Sequence, residues 1–221
     1  MQERLRNGWY DFCYSVAWAT MTAGCSFRSE GSRNVPRSGP VLLVANHQSF
    51  LDPPAIGLAT RRRLCYLARK TLFKPPIVDS FLRSLKGVPV DQEGVAASGL
   101  KTVLEQLAKN EAVLVFPEGE RSWSGAMLPF KPGIALLIKR AMPPVVPVGI
   151  AGASDVLPRG KAWPLLSPIF MPRTGGDIAV SIGKPLDGKR CAAMPREELL
   201  ATLFQEIQKM QERAENLRRK T

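Results

Sequence analysis

The apolar positions of the chain fall into short continuous runs, separated by longer stretches in which they recur at helical spacing. Short apolar runs bounded by turn-forming residues are typical of strands that are buried on both faces. These runs are residues 41–45, 64–68, 87–90, 112–116, 145–150 and 178–182. Asp52 followed by two prolines predicts a helix with Asp52 at its cap, and further helices are predicted over 75–85, 95–109, 134–141 and 195–219. This alternation predicts a single α/β domain with a central mixed, largely parallel sheet flanked by helices.

The amino-terminal segment differs from the rest of the chain because it is rich in aromatic residues. Between Trp9 and Phe27 most residues are apolar or small, but Asp11 and several Ser, Thr and Gly dilute the run. It is therefore too weakly apolar for a membrane span. Aromatic residues flanked by arginines favour an interfacial helix, and a helix packed on the core is the alternative. We therefore predict a membrane-interfacial helical segment over 1–34 and the main domain over 35–221.

The net charge of +12 is concentrated in the first part of the chain, where residues 1–90 carry +8 of it. A basic surface favours an anionic partner, such as a lipid surface, an acidic substrate or a nucleic acid. The sequence has no zinc-finger spacing and no basic stripe interleaved with stacking aromatics, so nucleic acid is disfavoured. We expect an anionic membrane surface as the partner.

Four cysteines and a single histidine limit the metal and redox chemistry of the chain. One histidine is too few for the usual Cys/His zinc sites, so we predict no metal and no bound cofactor. The cysteines lie too far apart in sequence for a disulfide scaffold, which predicts reduced thiols and a cytoplasmic compartment. Any histidine chemistry must involve His47.

The single histidine lies in a polar stretch, residues 46–52, that directly follows a predicted buried strand. Ligands of α/β sheets bind at the carboxyl ends of strands. His47 and Asp52 are five positions apart, so they can meet only if the chain turns between them, as a helix starting at Asp52 allows. The carboxylate could then fix the imidazole tautomer and leave the other nitrogen free as a base. Alternatively, Asp52 only caps the helix and His47 is an ordinary polar residue.

A second polar cluster, residues 116–122, also follows a predicted buried strand. Gly119 would let the backbone approach a ligand closely, and Arg121 offers a planar guanidinium that matches phosphate. The alternative is a charged turn in which Glu118 and Arg121 pair with each other. No Gly-x-Ser-x-Gly motif is present, so the nucleophile would be a hydroxyl of the substrate.

Taken together, the pattern Asn46-His47-x4-Asp52 and residues 116–122 resemble the first and third signature blocks of the glycerolipid acyltransferases. Within that group the chain is most similar to the 1-acylglycerol-3-phosphate acyltransferases. Smaller similarities follow in the same order along the chain, at residues 68–73, 87–91, 130–133 and 146–150. The resemblance covers about residues 40–185, which identifies 35–221 as an acyltransferase domain.

The resemblance implies transfer of a fatty acyl group from acyl-CoA or acyl carrier protein to the hydroxyl of a lysophospholipid. The expected acceptor is 1-acylglycerol-3-phosphate, in phospholipid biosynthesis at the cytoplasmic face of a membrane. His47 would be the general base and Asp52 would orient it. The residues that would bind the acceptor are Asn46, Glu118, Gly119, Arg121, Ser122, Lys70 and Lys131.

Two positions depart from the family pattern. Gln92 stands where the second block usually has an Arg that helps to hold the acceptor phosphate, and Glu120 stands where the family often has Thr. Both changes reduce the positive charge, so a non-phosphate lysolipid or lipid-like alcohol is an alternative acceptor. A non-catalytic lipid-binding protein on the same fold is a second alternative, but the His47–Asp52 pair argues against it because binding needs no base.

Overall fold

The computed structural model describes residues 2–90, 96–161, 163–166 and 175–218. Within these ranges, seven strands form one sheet in the order β1-β7-β6-β2-β5-β3-β4. The strands are β1 (Arg28–Glu30), β2 (Val41–Ala45), β3 (Leu64–Arg69), β4 (Gly87–Val90), β5 (Ala112–Val115), β6 (Val145–Ala151) and β7 (Ala179–Ile182). Only the β6–β7 pairing is antiparallel among the described strands, which confirms the predicted mixed, largely parallel sheet.

Helices cover both faces of this sheet. They are α1 (Gln2–Cys25), α2 (Asp52–Thr60), α3 (Pro76–Ser84), α4 (Ala96–Ala108), α5 (Gly133–Ala141), α6 (Ala153–Val156), α7 (Gly188–Ala193) and α8 (Arg196–Leu217). Short 3₁₀ turns lie at Ser32–Asn34 and Lys70–Phe73. All five predicted helices are present, with ends that agree to within a few residues.

The central strand β2 explains why its sequence is a continuous apolar run. It lies between β5 and β6, and all five of its side chains are buried. Successive side chains of a strand point to opposite faces. Val41, Leu43 and Ala45 therefore join the core beneath α1 and α2, whereas Leu42 and Val44 join the core beneath α4, α5 and α8. Burial on both faces removes the need for any polar alternation.

The last long helix, α8, packs against β6 and β7. Leu199, Leu203 and Ile207 are buried along the predicted apolar stripe. Gly149 of β6 permits the close approach, because a Cβ there would lie 2.1 Å from the backbone nitrogen of Gln211. Any larger residue at that position would force the helix away from the sheet.

Three elements were not predicted: β1, α6 and α7. Each has at most six residues, too few for a periodic pattern. β1 lies within the first 34 residues and pairs with β7 in the central sheet. The division of the chain at residue 34 stays a prediction.

The amino-terminal helix lies over α2 and contributes to the core. Met21 and Cys25 are buried in the cluster that also contains Ile56 of α2. The Tyr14 hydroxyl donates a hydrogen bond to the Leu58 carbonyl at 3.0 Å. Within the described residues, no helix is both long and apolar enough to cross a bilayer.

Candidate active site

The two polar clusters meet at the carboxyl ends of β2 and β5, which are adjacent parallel strands. The His47 amide donates a hydrogen bond to Oε1 of Glu118 at 2.7 Å, and the Ser122 amide donates to the His47 carbonyl at 2.9 Å. Two segments about seventy residues apart in sequence therefore form one site.

His47 and Asp52 interact as the sequence predicted. Nδ1 of His47 lies 2.7 Å from Oδ2 of Asp52, which also accepts hydrogen bonds from the amides of Gln48 at 2.6 Å and Ser49 at 2.8 Å. Because Oδ2 already accepts from two backbone donors, it acts as the acceptor toward His47, so the imidazole proton lies on Nδ1. Nε2 is therefore the free basic nitrogen.

Local structure explains this geometry. Asp52 is the first residue of α2, with Leu51 in the cap position, so the prediction that Asp52 itself caps the helix is wrong. Its side chain instead reaches back to the turn that begins at His47. Asp52 is completely buried, and the ring of Phe116 stacks on the imidazole with centroids 4.0 Å apart. The imidazole is thus oriented by its contact with Asp52 and by the ring of Phe116.

Glu118 is buried and links two backbone segments of the site by hydrogen bonds. Its side chain is 1% exposed, with Oε1 accepting from the His47 amide and Oε2 from the Leu128 amide at 2.7 Å. It makes no ion pair with Arg121, so the charged-turn alternative does not describe this loop. Burial raises the pKa of Glu118 to about 7, the two amide donors partly oppose the rise, and the charge of Asp52 adds to it.

Glu118→Gln is expected to change how the free energy of unfolding depends on pH. A carboxyl whose pKa is higher in the folded than in the unfolded chain makes the protein less stable as the pH rises from about 4.5 to about 7. Between pH 5 and pH 8 the wild type should lose about 2 kcal/mol relative to the variant. Urea unfolding at each pH measures this. A pH-independent difference between wild type and variant would contradict it.

Arg121 lies beside the histidine with its guanidinium free for an anion. The central carbon of the guanidinium lies over the Phe50 ring, 3.6 Å from its centroid. Burial, followed by the nearby charges of Arg159 and Arg69, lowers the pKa of Arg121. Neither Arg69 nor Arg121 forms a side-chain hydrogen bond or ion pair with the described part of the chain. Clustered unpaired guanidiniums form a ready site for phosphate.

The loop around Gly119 brings Lys131 toward the same site. Gly119 has a φ of 77°, a left-handed conformation that glycine adopts without strain. A Cβ there would lie 3.4 Å from the Lys131 side-chain carbons, and the Lys131 amide donates to the Pro117 carbonyl at 2.8 Å. Lys70 is exposed in the 3₁₀ turn that follows β3 and Arg69. Gln92 lies outside the described residues.

Asn46 and Ser122 are buried in the scaffold of the site. The Asn46 side chain donates to the carbonyl of Ile150 at 3.0 Å and accepts from the Ile150 amide at 2.8 Å. These bonds join the ends of β2 and β6. The Ser122 side chain is 2% exposed, and its hydroxyl has no hydrogen-bond partner among the described residues.

Sequence reasoning missed Arg159, which enters the site from the turn after α6. Nη1 of Arg159 donates to the Arg121 carbonyl at 2.7 Å. The residue belongs to none of the blocks used to recognise the site, and it is brought there only by the folding of β6 beside β2. No periodicity or spacing in the sequence could have identified it.

Comparisons with known proteins found a matching family model and several relatives. A family model described as Acyltransferase matches residues 26–151. The 1-acyl-sn-glycerol-3-phosphate acyltransferase of Bacillus subtilis is 26% identical over 208 residues, covering 94% of this chain and 97% of that protein. The chloroplastic enzyme BAT2 of Brassica napus is 28% identical over 85% of this chain, which spans only 53% of the plant protein's length.

A solved structure shares both the fold and part of the sequence. The crystal structure of the 1-acyl-sn-glycerophosphate acyltransferase PlsC from Thermotoga maritima superimposes with a TM-score of 0.76 at 28% identity. The match covers 98% of this chain and 83% of that chain. Together with the family model, which spans more than half of the sequence and includes both polar clusters, this shows that the chain belongs to the acyltransferase family.

Proposed function

We propose that this protein transfers a fatty acyl group from a thioester to the free hydroxyl of 1-acylglycerol-3-phosphate, in phospholipid biosynthesis. The observation that carries the proposal is the pair of partly exposed His47 and fully buried Asp52, together with the free guanidinium of Arg121 in the adjoining loop. The pair supplies a base, and the guanidinium supplies a phosphate contact. The relatives named above are 1-acyl-sn-glycerol-3-phosphate acyltransferases, which agrees with this substrate.

The reaction follows from the orientation of His47. Nε2 accepts the proton of the acceptor hydroxyl while the hydroxyl oxygen attacks the thioester carbonyl carbon. The carbon–sulfur bond then breaks, and the leaving thiolate takes the proton from Nε2. Asp52 stabilises the transient imidazolium through Nδ1. No Ser or Cys side chain of the described residues hydrogen-bonds to His47, so the substrate hydroxyl is the nucleophile.

The arginine cluster is proposed to hold the acceptor phosphate. Arg121 and Arg69 provide two free guanidiniums at the carboxyl edge of the sheet. Lys70 and Lys131 are proposed as further contacts, while Glu118 and Gly119 shape the loop that carries Arg121. Asn46 and Ser122 are proposed to support the acceptor site through the strand ends that they join.

The donor is proposed to be acyl-CoA or acyl carrier protein, and no cofactor or metal takes part. Both donors are anionic, which suits a chain with a net charge of +12. The thioester carries its own leaving group, so the chemistry needs only a base and groups that position the substrates.

A panel of acceptors tests the proposed substrate. With purified protein and acyl-CoA, kcat/KM for 1-acylglycerol-3-phosphate should exceed that for monoacylglycerol at least about tenfold, the effect of a charge-assisted hydrogen bond. Arg121→Ala should remove most of this preference. Arg140→Ala, at the far end of α5, is the matched control and should keep it. An equal rate on both acceptors would indicate the non-phosphate alternative.

We propose that the protein binds peripherally to an anionic membrane at its cytoplasmic face. The apolar face of α1, formed by Trp9, Phe12 and Val16, is exposed to solvent. Trp9 donates a hydrogen bond from Nε1 to Oγ of Ser84 at 2.9 Å, which joins α1 to the end of α3. Exposed aromatic side chains next to basic residues are typical of interfacial helices.

Phe12→Ser combined with Val16→Ser should weaken binding to anionic vesicles by about tenfold, because two partly inserted apolar side chains are lost. These substitutions are preferable to deleting α1, since Met21 and Cys25 belong to the core. Vesicle sedimentation measures the effect. Leu136→Ser changes an exposed apolar residue on the opposite face of the sheet and should not alter binding. Equal binding by the double variant would exclude α1 as the contact.

A further inference from the structure

Glu120 places a negative charge directly beside the arginine that is proposed to bind phosphate. Left unneutralised, a carboxylate next to Arg121 would repel the phosphate of the acceptor. The residue makes an ion pair, with Oε2 lying 3.2 Å from Nη1 of Arg159. Glu120 therefore does not stand alone in the site.

Arg159 makes three separate contacts with the segment that carries Arg121. Besides the ion pair with Glu120, it donates a hydrogen bond to the Arg121 carbonyl at 2.7 Å. Its guanidinium also stacks over the ring of Trp123, 4.2 Å from the centroid. Its side chain is 21% exposed, compared with 48% for Glu120, so the pair is partly shielded from water. One side chain thus contacts residues 120, 121 and 123.

The turn that carries Arg159 is also tied to the histidine segment. The Ser49 hydroxyl donates to the Leu157 carbonyl at 2.8 Å, two residues before Arg159. The amide of Ser49 donates to Asp52, which orients His47. The turn after α6 therefore contacts both the segment that carries Arg121 and the segment that carries His47.

The charge of Arg159 favours a particular class of phosphate. Arg159 adds one positive charge beside Arg69 and Arg121, and its ion pair offsets the negative charge of Glu120. A phosphate monoester carries close to two negative charges at neutral pH, whereas a phosphodiester carries one. The charge of Arg159 acts on Arg121, because together with burial it lowers the pKa of that group. Without Arg159 the site would lose one positive charge, and Glu120 would lose its ion-pair partner.

We propose that Arg159 is a positioning and specificity residue of the acceptor site. It neutralises Glu120, holds the backbone of Arg121, and so lets the site prefer a phosphate monoester over a phosphodiester. This inference rests on the proposed acceptor site, and it assigns a role to a residue outside the segments that resemble the family blocks.

Equilibrium binding tests this role without requiring acyl transfer. The 221-residue chain is mixed with neutral detergent micelles containing lysophosphatidic acid, a monoester, or lysophosphatidylglycerol, an anionic diester, and no thioester. We expect wild type to bind the monoester at least tenfold more tightly. Arg159→Ala should reduce that preference at least fivefold, mainly by weakening monoester binding. Arg140→Ala should leave it unchanged, and thermal unfolding checks that each variant folds.

A double variant separates charge from positioning. Arg159→Ala combined with Glu120→Gln removes one positive and one negative charge, so the net charge equals that of the wild type, and it should recover part of the lost preference. Arg159→Lys, which keeps the charge but lacks the planar fork, should also retain part of it. Equal loss of monoester and diester binding in Arg159→Ala would overturn the proposal, as would an unchanged preference. If wild type binds the monoester selectively but transfers no acyl group, the proposed function fails while the role of Arg159 stands.

A kinetic measurement distinguishes the role from general support of the fold. In the acyl-transfer assay, Arg159→Ala should raise KM for 1-acylglycerol-3-phosphate at least fivefold while kcat stays within about twofold to threefold. In Arg159→Lys, KM should lie between the values of the wild type and of Arg159→Ala. A fall in kcat with KM unchanged would instead mean that Arg159 affects the catalytic step at His47 and not acceptor binding. That result would overturn the proposed specificity role.

Discussion

Replacing His47 by Ala should lower kcat of acyl transfer by at least about 100-fold, because general-base catalysis contributes roughly 10²–10⁴-fold. His47 is the only histidine of the chain, so no other imidazole can replace it. The binding of acceptor should persist, because Arg121 and Arg69 remain. The prediction is checked by measuring kcat and KM of the purified variant with saturating acyl-CoA.

Loss of the imidazole also removes a ring that stacks on Phe116, so structural damage must be separated from loss of the base. Thermal unfolding of the variant should remain cooperative. Added imidazole should restore part of the rate by occupying the vacated space. A decrease of less than about tenfold in a folded variant would remove His47 from the mechanism.

Asp52→Asn should lower kcat by roughly 10²–10⁴-fold, because an amide cannot stabilise the imidazolium as a carboxylate does. Oδ2 of Asp52 accepts three hydrogen bonds, from His47 Nδ1 and the amides of Gln48 and Ser49. An Asn oxygen in that place could keep these bonds. Its nitrogen would then occupy the position of Oδ1, which is buried with no partner among the described residues. We therefore also expect a stability loss of about 1–3 kcal/mol.

A matched substitution at a helix start distinguishes the catalytic from the structural effect of Asp52→Asn. Asp187 caps α7 by accepting from the Arg190 amide at 2.8 Å, and it lies outside the proposed site. Asp187→Asn should cost little stability, because Asn caps a helix about as well as Asp, and it should leave kcat unchanged. If Asp52→Asn behaves like Asp187→Asn, Asp52 is only a structural residue and the His47–Asp52 pair is not catalytic.

Most strands and all the long helices could be predicted because each shows a pattern in the sequence. The continuous apolar run of β2 follows from burial on both faces, and the stripe of α8 follows from packing on β6 and β7. β1 could not be predicted, since it has three residues, Arg-Ser-Glu, and is stabilised by its pairing with β7. Such short elements depend on tertiary contacts that no local pattern records.

The meeting of His47 and Asp52 could be predicted because a turn followed by a helix start leaves few alternatives. The role of Glu118 could not, since its two hydrogen bonds join the backbone of His47 to that of Leu128, far away in sequence. Arg159 was missed for the same reason. The sequence therefore identifies the residues of chemical interest, whereas their hydrogen-bond partners follow from strand order.

We propose that the acyl group passes directly from donor to acceptor, with His47 activating the acceptor hydroxyl and no covalent intermediate on the protein. The most direct measurement follows thiol release and acyl-protein formation from a radiolabelled acyl thioester, with and without 1-acylglycerol-3-phosphate. We expect negligible thiol release without acceptor, and with it one thiol released for each ester formed. A burst of thiol without acceptor, accompanied by label on the protein, would contradict the account.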